Sequence, residues 1–231
     1  ALARRLGDRR WEGGQLGNLG AVAHMLGHAD QARTHYEAAL ALATEAGDRR
    51  WAGNTRCNLG LLHQEAGRHG DAEAQFDAAL AVARHLGHRR LEATVLCNLG
   101  LLRDAQQRPA DAAQHYEAAA AVAGRAGDRR SEGQSLGYLG LALARLGRAG
   151  EAAAAFAAAG GHLSQVGDAM SQGLLHCAQA EAAQLADDPA GAVQWLGLAR
   201  EAFHASGAGD DSELARRIGA LDRQAVISPL G

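Results

Sequence analysis

The chain repeats its own sequence at a fixed step of 40 residues, which restricts the folds open to it. The step is marked by single glycines and by Leu-Gly pairs: Gly7, Gly47, Gly87, Gly127 and Gly167, and the pairs that end at Gly20, Gly60, Gly100 and Gly140. A period of roughly 20–50 residues indicates one supersecondary unit stacked on copies of itself. A length of 231 residues alone suggests one or two globular domains, but the period predicts a single elongated array.

The composition limits the kinds of partner and compartment. The net charge is only -3, so nothing favours nucleic acid or an anionic membrane. No apolar run approaches the roughly 20 residues that span a bilayer, and we expect no secretion signal. Three cysteines, an odd number, argue against a disulfide framework. We therefore expect a cytoplasmic protein, and the lack of Lys indicates a GC-rich, bacterial genome.

Each unit reads as two helices joined by short turns. Gly47 suits the left-handed position after a helix, and Asp48 suits the N-cap of the next one, as Asp8 and Asp128 do elsewhere. His88 replaces the acid in one copy, where we expect a weaker start. Apolar residues then recur at helical spacing to about residue 66 and again to about residue 86. No alternating strand pattern occurs, so the pattern predicts an all-α fold of antiparallel helix pairs.

The positions shared by the units resemble the tetratricopeptide repeat. Four positions match the family's small Gly, small Ala, aromatic and second Ala: Gly20, Gly60, Gly100 and Gly140; Ala32, Ala72, Ala112 and Ala152; Tyr36, Phe76, Tyr116 and Phe156; and Ala39, Ala79, Ala119 and Ala159. Gly and Ala let helix axes approach closely, and the ring fills the gap between the helices. The resemblance implies a right-handed superhelix (an α-solenoid) and a surface for protein or peptide partners.

The unit is longer than the family's usual one of about 34 residues. Its length and its GDR and NLG segments are similar to repeats of kinesin light chains and spindle-orienting adaptors, and to C-terminal arrays of bacterial signalling ATPases and regulators. We expect residues 1–6 to end a truncated preceding repeat, because residues 1–10 read like residues 41–50. Residues 7–207 then form five repeats, the fifth degenerate. Residues 208–224 form a capping helix with Leu214, Ile218 and Leu221 on one stripe, and residues 225–231 form a tail.

The resemblance places the first helix of each pair on the concave wall of the array. Asn18, Asn58 and Asn98 share one position on successive first helices, and Tyr138 takes it in the fourth. A carboxamide can donate to a peptide C=O and accept from its N–H at once. Such a row can hold an extended peptide without reading its sequence, as in the similar adaptors. The alternative is that each Asn bonds a neighbouring helix and fixes the stacking.

Two flanking positions refine this predicted site. Where the adaptors carry Arg four residues before the Asn, this chain has Gly14, Asn54, Thr94 and Gln134, which weakens any expected preference for acidic peptides. Three residues after the Asn stand Ala21, Leu61, Leu101 and Leu141. If these face the groove, its floor is apolar and suits a hydrophobic segment. The alternative is that they pack between helices.

The remaining reactive residues point to structure rather than chemistry. Cys57, Cys97 and Cys177 share one repeat position with Gly17 and Gly137, which favours small size over redox or metal chemistry. The eleven His residues show no zinc-ligand spacing, so we expect no metal and no cofactor. The Arg pairs before the first helices are expected to pair with Glu on the same helix, and an edge for acidic partners is the alternative.

The sequence contains no catalytic motif of a familiar class. We therefore expect a non-catalytic scaffold that binds a protein or peptide, with neither nucleic acid nor membrane as partner. Two alternatives stay open. The array ends can pair to give a homo-oligomer, or the chain can serve as the regulatory arm of an upstream ATPase or kinase.

Overall fold

The computed structural model describes residues 9–227, and all its secondary structure is helical over that range. The helices, in chain order, are α1 (Arg9–Met25), α2 (Ala29–Glu45), α3 (Arg49–Glu65), α4 (His69–His85), α5 (Arg89–Ala105), α6 (Pro109–Arg125), α7 (Arg129–Arg145), α8 (Ala149–Val166), α9 (Ala169–Leu185), α10 (Pro189–Ser206) and α11 (Glu213–Ile227). The predicted all-α array of helix pairs is confirmed. No described helix is long and apolar enough to cross a membrane. The expectations for residues 1–6, Gly7, Asp8 and 228–231 lie outside the described residues.

The chain divides into two compact units, and the division falls within α5, between Leu102 and Arg103. Unit 1 contains α1 to α4 and most of α5, and unit 2 contains the helices that follow. In unit 1, α1 packs on α2 and α3 packs on α4, and α2 also packs on α3. In unit 2, α7 packs on α8 and α9 packs on α10, and α9 also contacts α7.

Glycine and aspartate set the turns as the sequence predicts. Gly47, the second residue after the end of α2, has a φ of +65°, a conformation that costs glycine little. The Asp48 carboxylate then accepts a hydrogen bond from the Trp51 N–H at 3.0 Å and caps α3. At the copy without an acid, His88 Nδ1 accepts from the Leu91 N–H at 3.1 Å. An imidazole therefore supplies the same kind of cap to α5.

The core depends on glycines that face aromatic rings within each pair. A Cβ on Gly20 would lie 2.6 Å from the Tyr36 ring, and a Cβ on Gly140 would lie 2.7 Å from the Phe156 ring. Real atoms essentially never come this close, so only glycine permits the ring to reach the neighbouring helix. The packing expected from the repeat positions is present at both sites.

The last helix lies against the last pair. Leu214, Ile218 and Leu221 are buried in one cluster with Cys177 of α9 and Leu196 of α10. The helix begins at Glu213 and continues to Ile227, three residues beyond the predicted end at residue 224.

Candidate functional site

The three row asparagines differ in exposure although they share one repeat position. The side chain of Asn18 on α1 is exposed, that of Asn58 on α3 is half-buried, and Asn98 on α5 is buried. Asn98 Nδ2 donates a hydrogen bond to Cys57 Sγ at 3.3 Å, which joins α5 to α3. Asn98 therefore takes the alternative role considered for the row, a bond to a neighbouring helix.

An open cleft of about 290 Å³ lies between the N-terminal halves of α3 and α5 in unit 1. It is lined by Arg50, Asn54, Cys57, Asn58, His88, Arg90, Leu91 and Thr94. The cleft thus brings together two predicted site residues, Asn54 and Asn58. Asn98 is not among the lining residues but lies behind the wall, bonded to the Cys57 sulfur.

The polar groups of this cleft are suited to binding an extended backbone. The Asn54 and Asn58 carboxamides make no hydrogen bond to another described residue, so their donors and acceptors remain available. Besides Cys57, the titratable side chains that line the cleft with Asn54 and Asn58 are Arg50, His88 and Arg90. No lining residue is acidic. The sequence predicts that the Arg pairs bond Glu on the same helix, with an edge for acidic partners as the alternative, and it does not predict that Arg50 and Arg90 line a cleft with Asn54 and Asn58.

The Cys57 thiol contributes packing rather than reactivity. Burial raises the pKa of Cys57 to about 11, although the hydrogen bond from Asn98 acts to lower it. Burial also raises the pKa of Cys177 to about 11, with the Arg217 charge opposing the effect. Both thiols are therefore protonated at neutral pH, the unreactive form of cysteine. Among the described residues, no group of three or more His, Cys, Asp or Glu is placed to hold a metal ion.

In unit 2, the predicted residue Gln134 is engaged in a polar chain between helices. Gln134 Nε2 on α7 donates to Ser171 Oγ on α9 at 2.8 Å, and that hydroxyl donates to Asp168 at 2.6 Å. Arg130 Nε lies 3.0 Å from the same carboxylate. Burial acts to raise the pKa of Asp168, but the Ser171 hydrogen bonds and the Arg130 charge outweigh it and lower that pKa. These linked polar side chains hold α9 against α7.

Tyr138 and the predicted leucines vary in their contacts. The Tyr138 ring stacks on the Tyr116 ring of α6, with centroids 5.4 Å apart and planes 24° apart. Leu61 and Leu101 are half-buried. Leu141 is only 2% exposed and lies in the core cluster with Phe156, so it packs between helices rather than forming a groove floor.

A ladder of charges across unit 2 was not found from the sequence. Asp104 Oδ2 accepts from the Tyr116 hydroxyl at 2.8 Å, and Asp104 Oδ1 lies 3.1 Å from Arg145. Arg145 in turn donates to Glu181 at 2.6 Å, and Arg217 lies 3.6 Å from Glu181. Burial raises the pKa of Asp104, against the opposing effects of Tyr116 and Arg145. The ladder therefore couples the ends of α5, α7, α9 and α11.

Comparison with known proteins shows the same fold in several solved structures. They include aspartyl phosphate phosphatase F from Bacillus subtilis (TM-score 0.76, 13% identity, 95% of this chain and 60% of that chain). BtubC (BKLC) from P. vanneervenii also matches (TM-score 0.73, 19% identity, 91% and 89%). So does a Rap protein complexed with competence and sporulation factor (TM-score 0.71, 15% identity, 95% and 64%). This chain thus spans less than two thirds of the phosphatase and of the Rap protein.

Comparison of the sequence with known families gives one match. No curated protein matches the chain. The tetratricopeptide repeat profile matches residues 15–85 and again residues 57–125, a range that includes the contact between Gly20 and the Tyr36 ring. Residues 15–125 thus match the tetratricopeptide repeat family, and helix pairs of the same kind continue to Ser206.

Proposed function

We propose that this chain is a non-catalytic scaffold that binds an extended peptide segment in the cleft between α3 and α5. One observation carries the proposal: two carboxamides, Asn54 and Asn58, line an open cleft and make no hydrogen bond to another described residue. In a well-packed repeat, a polar side chain with a structural role finds a partner, as Asn98 does with Cys57. The pair is therefore available to a ligand's backbone.

Asn54 and Asn58 lie four residues apart and share one face of α3. Each carboxamide can donate to a peptide C=O and accept from a peptide N–H. A net hydrogen bond contributes only about 0.5–1.5 kcal/mol, so two asparagines alone give weak binding. Further contacts must come from the rest of the cleft wall.

The charge of the cleft suggests which peptides fit best. Arg50 and Arg90 lie in its wall, and no lining residue is acidic. Charge-assisted bonds from Arg to carboxylate are the strongest side-chain hydrogen bonds available. We therefore propose that segments carrying Asp or Glu bind more tightly than neutral ones. The similar adaptors carry Arg at the position of Asn54. In this chain, Arg50 and Arg90 supply positive charge to the same cleft from other positions.

The comparisons support a binding role. One structure with the same fold is a Rap protein in complex with competence and sporulation factor. Another relative has the name of a phosphatase, but 13% identity supports the fold alone. We also place the protein in a bacterial cytoplasm, on its composition. There are two alternative functions. The protein can self-associate through an array end, or it can act as the regulatory arm of an upstream ATPase or kinase.

The proposal is tested by selecting short random peptides that bind the chain and measuring their affinity for variants. Asn54→Ala with Asn58→Ala should weaken selected peptides by about tenfold or more, the loss expected from two hydrogen bonds. Gln114→Ala is the matched control, because it removes an exposed carboxamide from α6, outside the cleft. Circular dichroism confirms that each variant keeps its helicity.

Two results would reject the cleft as the site. One is selected peptides that bind the double Asn variant and the wild type equally. The other is an equal loss of affinity in the Gln114 control. Equal binding of acidic and neutral forms of one peptide would reject only the charge preference and leave the backbone contact standing.

A further inference from the structure

A second open cleft, of about 680 Å³, lies between the helix pairs α7–α8 and α9–α10 of unit 2. Sites for small molecules usually have volumes of roughly 300–1,000 Å³ and mostly apolar walls. Most of the residues that line this cleft are alanines, and none of them is charged. Phe156 of α8 and Trp195 of α10 supply its two large rings, and Gln179 of α9 supplies a carboxamide. It shares no residue with the cleft between α3 and α5.

One repeat earlier, the equivalent place is crossed by a bridge of the chain's own side chains. There the Tyr116 hydroxyl donates to Asp104 at 2.8 Å, and Asp104 lies 3.1 Å from Arg145. The residues at the three equivalent positions are apolar, and all of them line the cleft: Phe156, Ala144 and Leu185. The cleft is therefore open where the hydroxyl, the carboxylate and the guanidinium of the bridge are absent.

The carboxamide in the cleft wall is held in one orientation. Gln179 Oε1 lies 3.0 Å from His176 Nδ1, and the His176 ring stacks on the Trp195 ring, with centroids 5.6 Å apart and planes 16° apart. In the Nδ1–H tautomer the imidazole donates to that oxygen. The two N–H donors of Gln179 Nε2 make no hydrogen bond to another described residue. His176 does not line the cleft, so the amide nitrogen is the part of Gln179 that is available to a ligand.

These features fit one class of ligand. A wall without charge favours a neutral molecule, because an ion would lose its hydration and find no counter-charge. Trp195 stands where the preceding repeat has Ala155, so it adds an aromatic ring against which a planar molecule can pack. The donors of Gln179 Nε2 call for an acceptor. We propose that this cleft binds a neutral aromatic small molecule whose carbonyl oxygen accepts a hydrogen bond from Gln179.

The probe for this site is prodan, a neutral naphthalene ketone whose fluorescence shifts to the blue in apolar surroundings. Titration of the chain with prodan should give a saturable, blue-shifted signal. Gln179→Leu introduces the residue of the equivalent position, Leu139, and should weaken prodan binding by about threefold to tenfold, the loss expected for one hydrogen bond. N-phenyl-1-naphthylamine has no carbonyl and should bind this variant at least as tightly as the wild type.

The matched variants for the cleft itself are Ala157→Trp and Ala154→Trp. Both alanines are exposed on α8, so neither change should alter the melting temperature much, but only Ala157 lines the cleft. Ala157→Trp should abolish prodan binding, and Ala154→Trp should leave it unchanged.

Three results with prodan would overturn the inference: no saturable binding to the wild type, equal binding to the two Trp variants, or equal affinity for the wild type and Gln179→Leu. So would a dimer in sedimentation velocity that Ala157→Trp dissolves, because the cleft would then hold a second copy of the chain. Circular dichroism of each variant checks that its helicity is retained.

Discussion

Asn98 donates a hydrogen bond from its carboxamide to the Cys57 sulfur, 3.3 Å away on the neighbouring first helix. Asn58 occupies the same position one repeat earlier, and there the residue equivalent to Cys57 is Gly17, which has no side chain. The room above Gly17 is taken by the Trp51 ring, 2.6 Å from where a Cβ would be. One repeat position therefore has two roles, and the partner on the preceding helix decides between them.

The first prediction separates these two roles. Asn98→Ala should lower the free energy of unfolding by about 1–2 kcal/mol, because it removes a buried hydrogen bond and leaves a small void. Asn58→Ala should change it by no more than about 0.5 kcal/mol, the usual range for a surface substitution. Urea unfolding followed by circular dichroism measures both. Equal losses in the two variants would show that Asn58 is also structural.

A second prediction concerns glycines in α7 and α8. Gly140→Ala should destabilise the chain by about 1–3 kcal/mol, because its Cβ would collide with the Phe156 ring. Gly161→Ala should instead stabilise it by about 0.5–1 kcal/mol, because no atom lies within 4 Å of the new Cβ and alanine favours the helix. Thermal melts of the two variants compare the signs. A neutral Gly140→Ala would mean that α7 and α8 do not meet at this contact.

A third prediction uses a left-handed position that one repeat fills without glycine. Gln107 has a φ of +58°, whereas the equivalent Gly147 has a φ of +72°. Gln107→Gly should stabilise the chain by about 1 kcal/mol, since a side chain in this conformation costs roughly 1–2 kcal/mol and glycine regains part of it. The reciprocal change Gly147→Gln should destabilise it by a similar amount. The account of these turns fails if both changes shift the unfolding midpoint in the same direction.

A fourth prediction follows from the two buried thiols. The pKa of Cys57 and that of Cys177 rise from 9.0 to about 11 in the folded chain, chiefly because burial disfavours the thiolate. Above pH 9 the folded state therefore binds more protons than the unfolded state, and stability falls as pH rises from 9 to about 11. Below pH 9 the contribution is fully present.

The measurement for the thiols is urea unfolding at pH 8 and at pH 10. The wild type should lose more stability between these values than the double variant Cys57→Ala, Cys177→Ala. The comparison uses the change with pH, so the cost of removing the side chains cancels. Parallel losses in the two proteins would mean that the thiols ionise alike in the folded and unfolded chains.

The sequence predicts most of the fold because the same turn and packing residues recur in each repeat. Gly47 and Asp48 mark a turn, and Gly20 with Tyr36 marks a close contact, so helix bounds and pair packing follow. The candidate site is harder to read, since Asn58 and Asn98 look identical along the chain. They differ because Asn98 lies beside the Cys57 side chain, whereas the equivalent neighbour of Asn58 is Gly17. Only the structure shows that these residues of adjacent first helices lie next to each other.

Other features needed the structure for the same reason. Leu141 resembles Leu61 in register, but it is buried with Phe156 whereas Leu61 is half-buried. The charge ladder from Asp104 through Arg145 to Glu181 joins residues 36 and 41 positions apart, and no sequence spacing announces such pairs. The basic side of the cleft appears only when Arg50 and Arg90 are placed beside Asn54.

The most direct test of peptide binding in the cleft is an NMR titration of the chain labelled with ¹⁵N only in asparagine. The chain has four asparagines, so the side-chain amide spectrum contains four pairs of signals, which single Asn→Ala variants assign. A selected acidic peptide should shift the Asn54 and Asn58 pairs and leave the Asn98 pair, bonded to Cys57, nearly in place. Bound peptide with unmoved Asn54 and Asn58 signals would contradict the account.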